Sequence, residues 1–330
     1  MKYLSTAKLA EKNILVRLDF DLPKAAKGFD TSRLEQGLAT LNYLLSKKAA
    51  HITVIAHRGR PKGKSTMYSL TPIEKELRTH FTPEENKKIT VLPNIRFDAR
   101  EEKGSTTFAR VLAKKQDIFV LDAFATMHRE HTSITFLPEV LPTYPGLQVE
   151  KEIQAFKRVL ETPKRPFVVI LGGAKLETKL PLIAAFQDKA DVILVGGKLA
   201  LEARDTQIQI GRKVIIAELT KDGKDITQAA MEQFERFIKA AGTVIWNGPM
   251  GVFEDPKHAA GTKYIALAVN EASAFTLTGG GDTEAAQTKY KAEEKVKHVS
   301  SGGGSMLDYL LNKTLPGIEA IEKSQKEFKL

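Results

Sequence analysis

Four glycine clusters and a set of arginines punctuate this chain at the ends of short apolar runs. Gly172-Gly173-Ala174-Lys175 follows the run 167–171, and Gly196-Gly197 follows 192–195. Asn247-Gly248 follows 244–246, and Gly279-Gly280-Gly281-Asp282-Thr283 follows 275–278. A further triplet, Ser301-Gly302-Gly303-Gly304-Ser305, precedes an expected helix. Glycine carries an entropic cost, so its repetition needs a reason. Main-chain N–H groups approach a phosphate closely where no side chain intervenes, and a helix N-terminus adds a favourable dipole. Lys175 and Lys179 are four residues apart and share one face of the helix expected over 174–186. The segment lacks the Gly-Lys-Ser/Thr ending of a P-loop. Asp282 and Thr283 stand at a helix start, where both residue types serve as N-caps. Asp282 also suits a Mg²⁺ bound mainly by nucleotide phosphates, and Thr283 a phosphate oxygen.

In the first half the runs end at charge. The run 14–18 meets Asp19, with Asp21 beyond it, and 52–56 meets His57-Arg58-Gly59-Arg60. Residues 91–92 lead towards Arg96, and 118–121 meets Asp122 ahead of His128-Arg129-Glu130-His131. Arg33 begins an expected helix after Asp30-Thr31. The planar guanidinium fork matches phosphate and carboxylate, although a single arginine more often serves a surface salt bridge. Asp19 and Asp21 can brace these arginines or meet a substrate hydroxyl. His57 taken alone reads as a structural hydrogen-bonding residue. No Ser-His-Asp order and no His-x-x-x-His zinc spacing occurs.

The elements that position these residues follow from the runs themselves. They are short, rich in Val and Ile, and do not alternate, as in strands buried on both faces of a parallel sheet. Stretches 32–46, 71–81, 150–160 and 227–241 space apolar residues three or four apart and read as helices. Strand–helix alternation predicts an α/β fold, and open parallel sheets bind ligands beyond the carboxyl ends of their strands. A chain of 330 residues with 42% hydrophobic content favours two domains, each with its own core. The prolines and glycine between 138 and 166 bracket a helix and mark the boundary. The stretch 318–328 is amphipathic and able to pack back on the first domain.

Composition narrows the function. With no cysteine there is no disulfide framework, thiol nucleophile or Cys-ligated zinc. No apolar stretch of signal-peptide or membrane-spanning length occurs, so a cytoplasmic protein without membrane partners is expected. The net charge of +10 admits a phosphometabolite, a nucleic acid or scattered surface lysine. No aromatic-studded basic stretch suggests base stacking.

Taken together, several strings resemble the phosphoglycerate kinase family over essentially the whole chain. They are Val16-Arg17-Leu18-Asp19-Phe20-Asp21-Leu22-Pro23, Ala56-His57-Arg58-Gly59-Arg60-Pro61-Lys62-Gly63, and Asp122-Ala123-Phe124-Ala125-Thr126-Met127-His128-Arg129. In the second half they are Leu171-Gly172-Gly173-Ala174-Lys175, Trp246-Asn247-Gly248-Pro249-Met250-Gly251-Val252-Phe253-Glu254, residues 279–283 and residues 301–304. The resemblance implies two Rossmann-like domains, each a parallel sheet flanked by helices, joined by a hinge helix. Residues 1–149 would bind 3-phosphoglycerate or 1,3-bisphosphoglycerate, residues 150–162 would connect, residues 163–315 would bind ATP or ADP with Mg²⁺, and 316–330 would form the tail. By matched position Asp19, Asp21, Arg33, His57, Arg60, Arg96 and Arg129 would bind the glycerate substrate. Gly172, Gly173, Gly196 and Gly197 would line the nucleoside pocket, Lys179 and Asn247 would lie by the phosphates, and Glu254 would bond the ribose. Arg33, Lys175 and the amides around Gly280, Gly281 and Gly303 would surround the phosphoryl group in transfer, with Asp282 and Thr283 beside it. A monomer with no specific nucleic-acid partner is expected.

Certain positions depart from that pattern. Asp21 stands where the family usually has Asn, Lys198 replaces a third glycine, and Ser305-Met306 replaces a common Ala-Ser. The chain is also shorter than usual members, with much of the loss between 200 and 243, where only Asp225-Ile226 survives of an Asp-Ile-Gly-Pro signature. A glycerate carboxylate is ionised at neutral pH and needs no general base to attack phosphorus. Direct in-line transfer with closure about a hinge near 138–166 is therefore the expected mechanism. Two other readings remain open: a non-catalytic phosphate- or nucleic-acid-binding protein, and a kinase for another carboxylate.

Overall fold

The computed structural model describes residues 1–22, 32–174, 176–205 and 211–330. The chain forms two compact units, Met1–Ile153 with Thr314–Leu330, and Gln154–Lys313. The boundary falls inside the helix Leu147–Glu161.

Unit 1 holds strands β1 (Asn13–Leu18), β2 (His51–Ile55), β3 (Ile89–Val91), β4 (Ile118–Asp122) and β5 (Thr143–Pro145) in the order β3-β2-β1-β4-β5. All its pairings are parallel. The chain fills one side of β1 with β2 and β3, then returns to the other side for β4 and β5. Such a reversal leaves a crevice at the carboxyl ends of the two central strands. The strands are buried on both faces, with Ile14, Val16, Leu18, Ile52, Val54 and Val120 in one core with Leu41 and Leu44 of the helix Ser32–Ser46. The helix Pro316–Glu327 belongs to this unit: Gly317 N–H donates to Met127 O at 2.9 Å, and Ser324 Oγ to Leu141 O at 2.9 Å.

Unit 2 repeats the plan with β6 (Phe167–Leu171), β7 (Val192–Val195), β8 (Val214–Ile216), β9 (Thr243–Asn247), β10 (Phe275–Gly279) and β11 (His298–Ser300), ordered β11-β10-β9-β6-β7-β8. Every strand is again parallel to its neighbours. The reversal falls between β6 and β9, where Leu171 pairs with Asn247. Trp246 is fully buried, and its indole N–H donates to Gly248 O at 2.8 Å, which fixes the turn after β9.

The strands expected from the apolar runs are present. Three were not anticipated: β5, β8 and β11, each of three residues. A three-residue strand carries too little sequence pattern to separate it from a loop, and pairing to its neighbour defines it. The second expected helix is shorter than its periodicity suggests, running Thr71–Thr79.

Candidate active site: a cationic rim and an amide rim

In unit 1 the loops after β1, β2, β3 and β4 bring the predicted residues to one edge. Arg33 Nη1 donates to Asp19 Oδ2 at 3.1 Å and to the Asp21 carbonyl at 3.2 Å. Asp21 Oδ1 accepts from Gly59 N–H at 2.7 Å, and its Oδ2 lies 3.6 Å from His57 Nε2. The extra carboxylate at Asp21 is therefore engaged. Arg96 Nη1 donates to Gly59 O at 2.8 Å, and its Nε lies 3.2 Å from Glu102 Oε1. Arg129 and Arg96 repel each other electrostatically, as do Arg129 and His131. Arg60 is exposed, with no hydrogen-bond or ion-pair partner among the described residues.

The centre of this rim lies outside the residues expected to bind substrate. Arg17, in β1, is fully buried, and its Nη2 lies 3.0 Å from His57 Nδ1. A guanidinium only donates, so His57 Nδ1 is the acceptor and the ring proton sits on Nε2. Burial first, then Arg17, Arg96, His131 and Arg33, push the His57 imidazole well below its ordinary range. His57 is thus a neutral brace for Arg17 rather than one of the cations. His131 is held at about 4 by burial and by Arg96, Arg17 and Arg129. Arg17 Nε and Nη1 have no hydrogen-bond partner among the described residues. Arg96 repels this guanidinium while Glu101, Asp19 and Asp21 attract it, yet none of them bonds these two nitrogens. Buried donors are normally satisfied, so the pair suits an anionic ligand. The available signal was a charged residue inside an otherwise apolar central strand.

In unit 2 the glycines interlock. Gly172 N–H donates to Asn247 O at 2.9 Å and Gly173 N–H to Pro249 O at 2.7 Å. A side chain at Gly172 would strike Pro249 O, and one at Gly197 would meet the same carbonyl at 2.7 Å. Gly196 packs on Met250 Sδ. The strand-end glycines thus serve backbone-on-backbone packing as well as ligand approach. Asn247 Nδ2 donates to Gly279 O at 2.6 Å, and Gly248 N–H to Thr283 Oγ1 at 2.8 Å. Thr283 is fully buried and ties two loops together rather than capping its helix. The helices Gly281–Tyr290 and Gly303–Asn312 begin side by side, a Cβ at Gly303 lying 3.0 Å from Gly280 Cα, while the space above Gly281 is open. Two N-termini then share one opening suited to phosphate.

Lys179, on the helix Leu176–Gln187, is buried, with Nζ 3.4 Å from Asn247 O. Burial lowers its ammonium to about 8, opposed by Asp282. Asp282 is exposed and lines a cavity of about 360 Å³ with Gly173, Gly197, Leu201, Val252 and Glu254. Leu201 and Val252 are exposed apolar walls suited to a planar base. Neither was singled out from sequence, because isolated apolar residues carry no site signal. Lys175 lies outside the described residues. No cluster of three or more metal-ligating side chains occurs among the described residues. A lone Asp282 fits an ion held mostly by phosphate oxygens.

Two α/β units built on parallel sheets, one with a buried cationic rim and one with an amide rim, define a two-domain phosphotransferase scaffold. The sequence profile of the Phosphoglycerate kinase family matches residues 4–221 and 202–313. The phosphoglycerate kinase of Borrelia garinii subsp. bavariensis is 32% identical over 382 residues, covering 95% of this chain and 97% of that protein. A phosphoglycerate kinase of Thermus thermophilus is 34% identical over 379 residues, covering 94% and 97%. The solved structure of phosphoglycerate kinase from Coxiella burnetii superposes with a TM-score of 0.86 at 27% identity, covering 98% of this chain and 99% of that one. The chain belongs to the phosphoglycerate kinase family. It is a phosphotransferase, and the glycolytic phosphoryl transfer of that family is its reaction. The first two alignments run longer than the chain itself, so these relatives carry segments it lacks. The two profile matches overlap at 202–221, inside the stretch expected to be shortened.

Proposed function

We propose that unit 1 binds 3-phosphoglycerate or 1,3-bisphosphoglycerate through Arg17, Arg33, Arg60, Arg96 and Arg129, and that unit 2 binds ATP or ADP across the 360 Å³ cavity and the paired helix N-termini. The observation that carries this reading is the pair of guanidinium nitrogens on fully buried Arg17 that lack a hydrogen-bond partner among the described residues, with Arg96 repelling the group and Glu101, Asp19 and Asp21 attracting it without satisfying those two donors. A phosphorylated carboxylic acid satisfies such donors and neutralises their repulsion.

The glycerate carboxylate attacks the γ-phosphorus in line, and no proton has to move. The task is to stabilise charge on the group in transfer, which fixed cations and amides do without reorganising. Lys179, still protonated at neutral pH, faces the nucleotide phosphates with the amides at Gly280, Gly281 and Gly303. Mg²⁺ would be held by the phosphates with Asp282 and would neutralise their charge. Substrates bound on separate units must be brought together, and the helix Leu147–Glu161 is the hinge candidate. The same reading assigns the protein to the cytoplasm, as a monomer.

A coupled assay of turnover with 3-phosphoglycerate across several nucleotides tests this. Nucleotide-dependent formation of 1,3-bisphosphoglycerate is expected, and binding without turnover would reduce the protein to a non-catalytic polyanion binder. Lys175→Ala should lower kcat by about 10²–10³-fold, the scale of one lost preorganised donor. An unchanged kcat with only a raised nucleotide KM would remove Lys175 from the transfer step.

A further inference from the structure

One wall of the proposed nucleotide cavity is a short hairpin. Leu219 pairs antiparallel with Ile226 and closes a tight hairpin. Thr220 N–H donates to Asp225 O at 2.9 Å, and Gly223 N–H to Thr220 O at 2.8 Å. The tip, Asp222-Gly223-Lys224, lines the cavity and stands next to the stretch where the family match breaks and overlaps. A six-residue turn is poorly anchored by its own backbone, so something outside it has to fix its position.

His258 does so. It ends the short helical turn Pro256–His258, with its Nε2 2.6 Å from Asp222 Oδ2 and its Nδ1 2.8 Å from Asp255 Oδ2. Asp222 Oδ1 accepts from Thr220 Oγ1 at 2.7 Å, and Asp255 Oδ1 from Lys257 N–H at 3.0 Å. Val252 N–H donates to Lys224 O at 3.0 Å, so the hairpin and the 252–258 segment meet by main chain as well. Asp225, in the same hairpin, accepts from Gly261 N–H at 2.9 Å and is attracted to His258 without a bond to it. The charged groups around the ring are thus Asp222, Lys224 and Asp225 from the hairpin, and Asp255 and Lys257 from its own turn.

Only an imidazolium donates from both ring nitrogens. A neutral ring would turn a lone pair towards one of the two carboxylates. Hydrogen bonds to Asp222 and then Asp255 raise the His258 ring above its ordinary value, and Thr220, then His258, hold the Asp222 carboxyl at about 2. The clasp therefore persists to higher pH than an ordinary imidazole would allow, and it opens as the ring loses its proton.

We propose that His258 is a positioning residue for the nucleotide, clasping the 219–226 hairpin onto the 252–258 segment so that nucleotide affinity depends on the charge of this ring. The inference rests on the reading of the cavity as the nucleotide site. It makes His258 and Asp222 determinants of nucleotide KM that never touch the transferred group.

The test is a pH profile of KM for ADP and for 3-phosphoglycerate, from about pH 6 to about pH 9, on the full-length enzyme. The proteins compared are wild type, His258→Gln, Asp222→Asn and a cavity control, Val252→Asp. At about pH 6.5 both clasp variants should raise the ADP KM about two- to fivefold, the scale of a partly exposed ion pair, with kcat and the glycerate KM unmoved. As pH rises wild type should converge on His258→Gln, because its own ring loses its proton. Lys179 also loses charge in this range, but equally in every variant, so the ratio isolates the clasp. A constant ratio across pH, or none, overturns the proposal, and Asp222→Asn gives the answer if His258→Gln folds poorly. If Val252→Asp leaves the ADP KM unchanged, the cavity is not the nucleotide site and the underlying reading falls with it.

Discussion

On the proposed assignment the two rims meet one task, holding a phosphorylated anion at the edge of a parallel sheet, in opposite ways. In unit 1 the binding groups are side-chain cations gathered against their own repulsion. Arg17 is buried with two unpartnered nitrogens, and burial draws both Arg17 and Arg96 below the usual guanidinium range. In unit 2 the polar groups near the cavity are already tied to one another. Asn247 bonds Gly279, Thr283 accepts from Gly248, and Gly173 donates to Pro249. On the cationic rim, site and fold compete. On the amide rim they share the same contacts.

The largest effect expected from this contrast is at Arg17. Arg17→Met keeps much of the volume and removes a buried charge. It should raise the 3-phosphoglycerate KM by about 10²-fold or more, the scale of a lost buried charge contact, while leaving the nucleotide KM alone. Unliganded thermal stability should hold or rise, since the burial of this guanidinium outweighs the attraction of Glu101, Asp19 and Asp21 for it. A large loss of stability would mean that Arg17 supports the fold, and the contrast would fail on that side.

Gly172→Ala probes the other rim. Its Cβ would meet the Pro249 and Gly248 carbonyls, which are backbone and cannot move aside. Destabilisation of about 3 kcal/mol by denaturant titration is expected, with nucleotide affinity and stability falling together. A stable variant that has lost only nucleotide affinity would show that this rim, too, separates site from fold.

These examples also show what the sequence could and could not tell. The parallel sheets were legible because β1, β2, β4, β6, β7, β9 and β10 are buried on both faces and read as short, largely apolar runs that do not alternate. Their carboxyl ends named the rims. Arg17 was in view but unassigned, since its meaning depends on the Ile55 and Leu121 neighbours that bury it from β2 and β4. Glycine clusters announced close approach but not to what, and at Gly172, Gly196 and Gly197 the neighbour is protein. The Asp222–His258–Asp255 clasp was invisible: His258 and Asp222 are 36 residues apart and join only because a short hairpin folds back.

Asp122 carries the comparison into pH. It ends β4 on the rim side of unit 1, accepting from Thr40 Oγ1 at 2.6 Å and from Val149 N–H at 3.0 Å in the first turn of the helix Leu147–Glu161. Burial pushes its carboxyl up to about 6 from an unfolded value near 3.8. Above the folded value the group is ionised in both states, and its burial weighs against folding. As pH falls from about 6 towards about 4 the folded protein takes up the proton first, which relieves that cost. The stability of wild type relative to Asp122→Asn should therefore rise on acidification by roughly 2–3 kcal/mol, read from urea midpoints at fixed pH. A difference that grows with pH instead would show that the hydrogen bonds from Thr40 and Val149 outweigh desolvation.

The smallest effect is the most discriminating, because a carboxylate should act with opposite sign on the two rims. Asp21 lies among the cations proposed to bind glycerate, where its charge opposes an anionic ligand, yet it holds Gly59 N–H and faces His57. Asp21→Asn keeps an acceptor for Gly59 and removes the charge. The 3-phosphoglycerate KM should fall about two- to fivefold, as for a like charge screened by solvent, with the larger change at low salt. Asp282 on the amide rim stands beside Lys179 and is the carboxylate assigned to Mg²⁺, so Asp282→Asn should raise the nucleotide KM. If both substitutions shift their KM values in the same direction, the two rims do not differ in how they use charge. If Asp21→Asn weakens glycerate binding, the carboxylate meets a substrate hydroxyl, and its cost to the anion is smaller than the bond it makes.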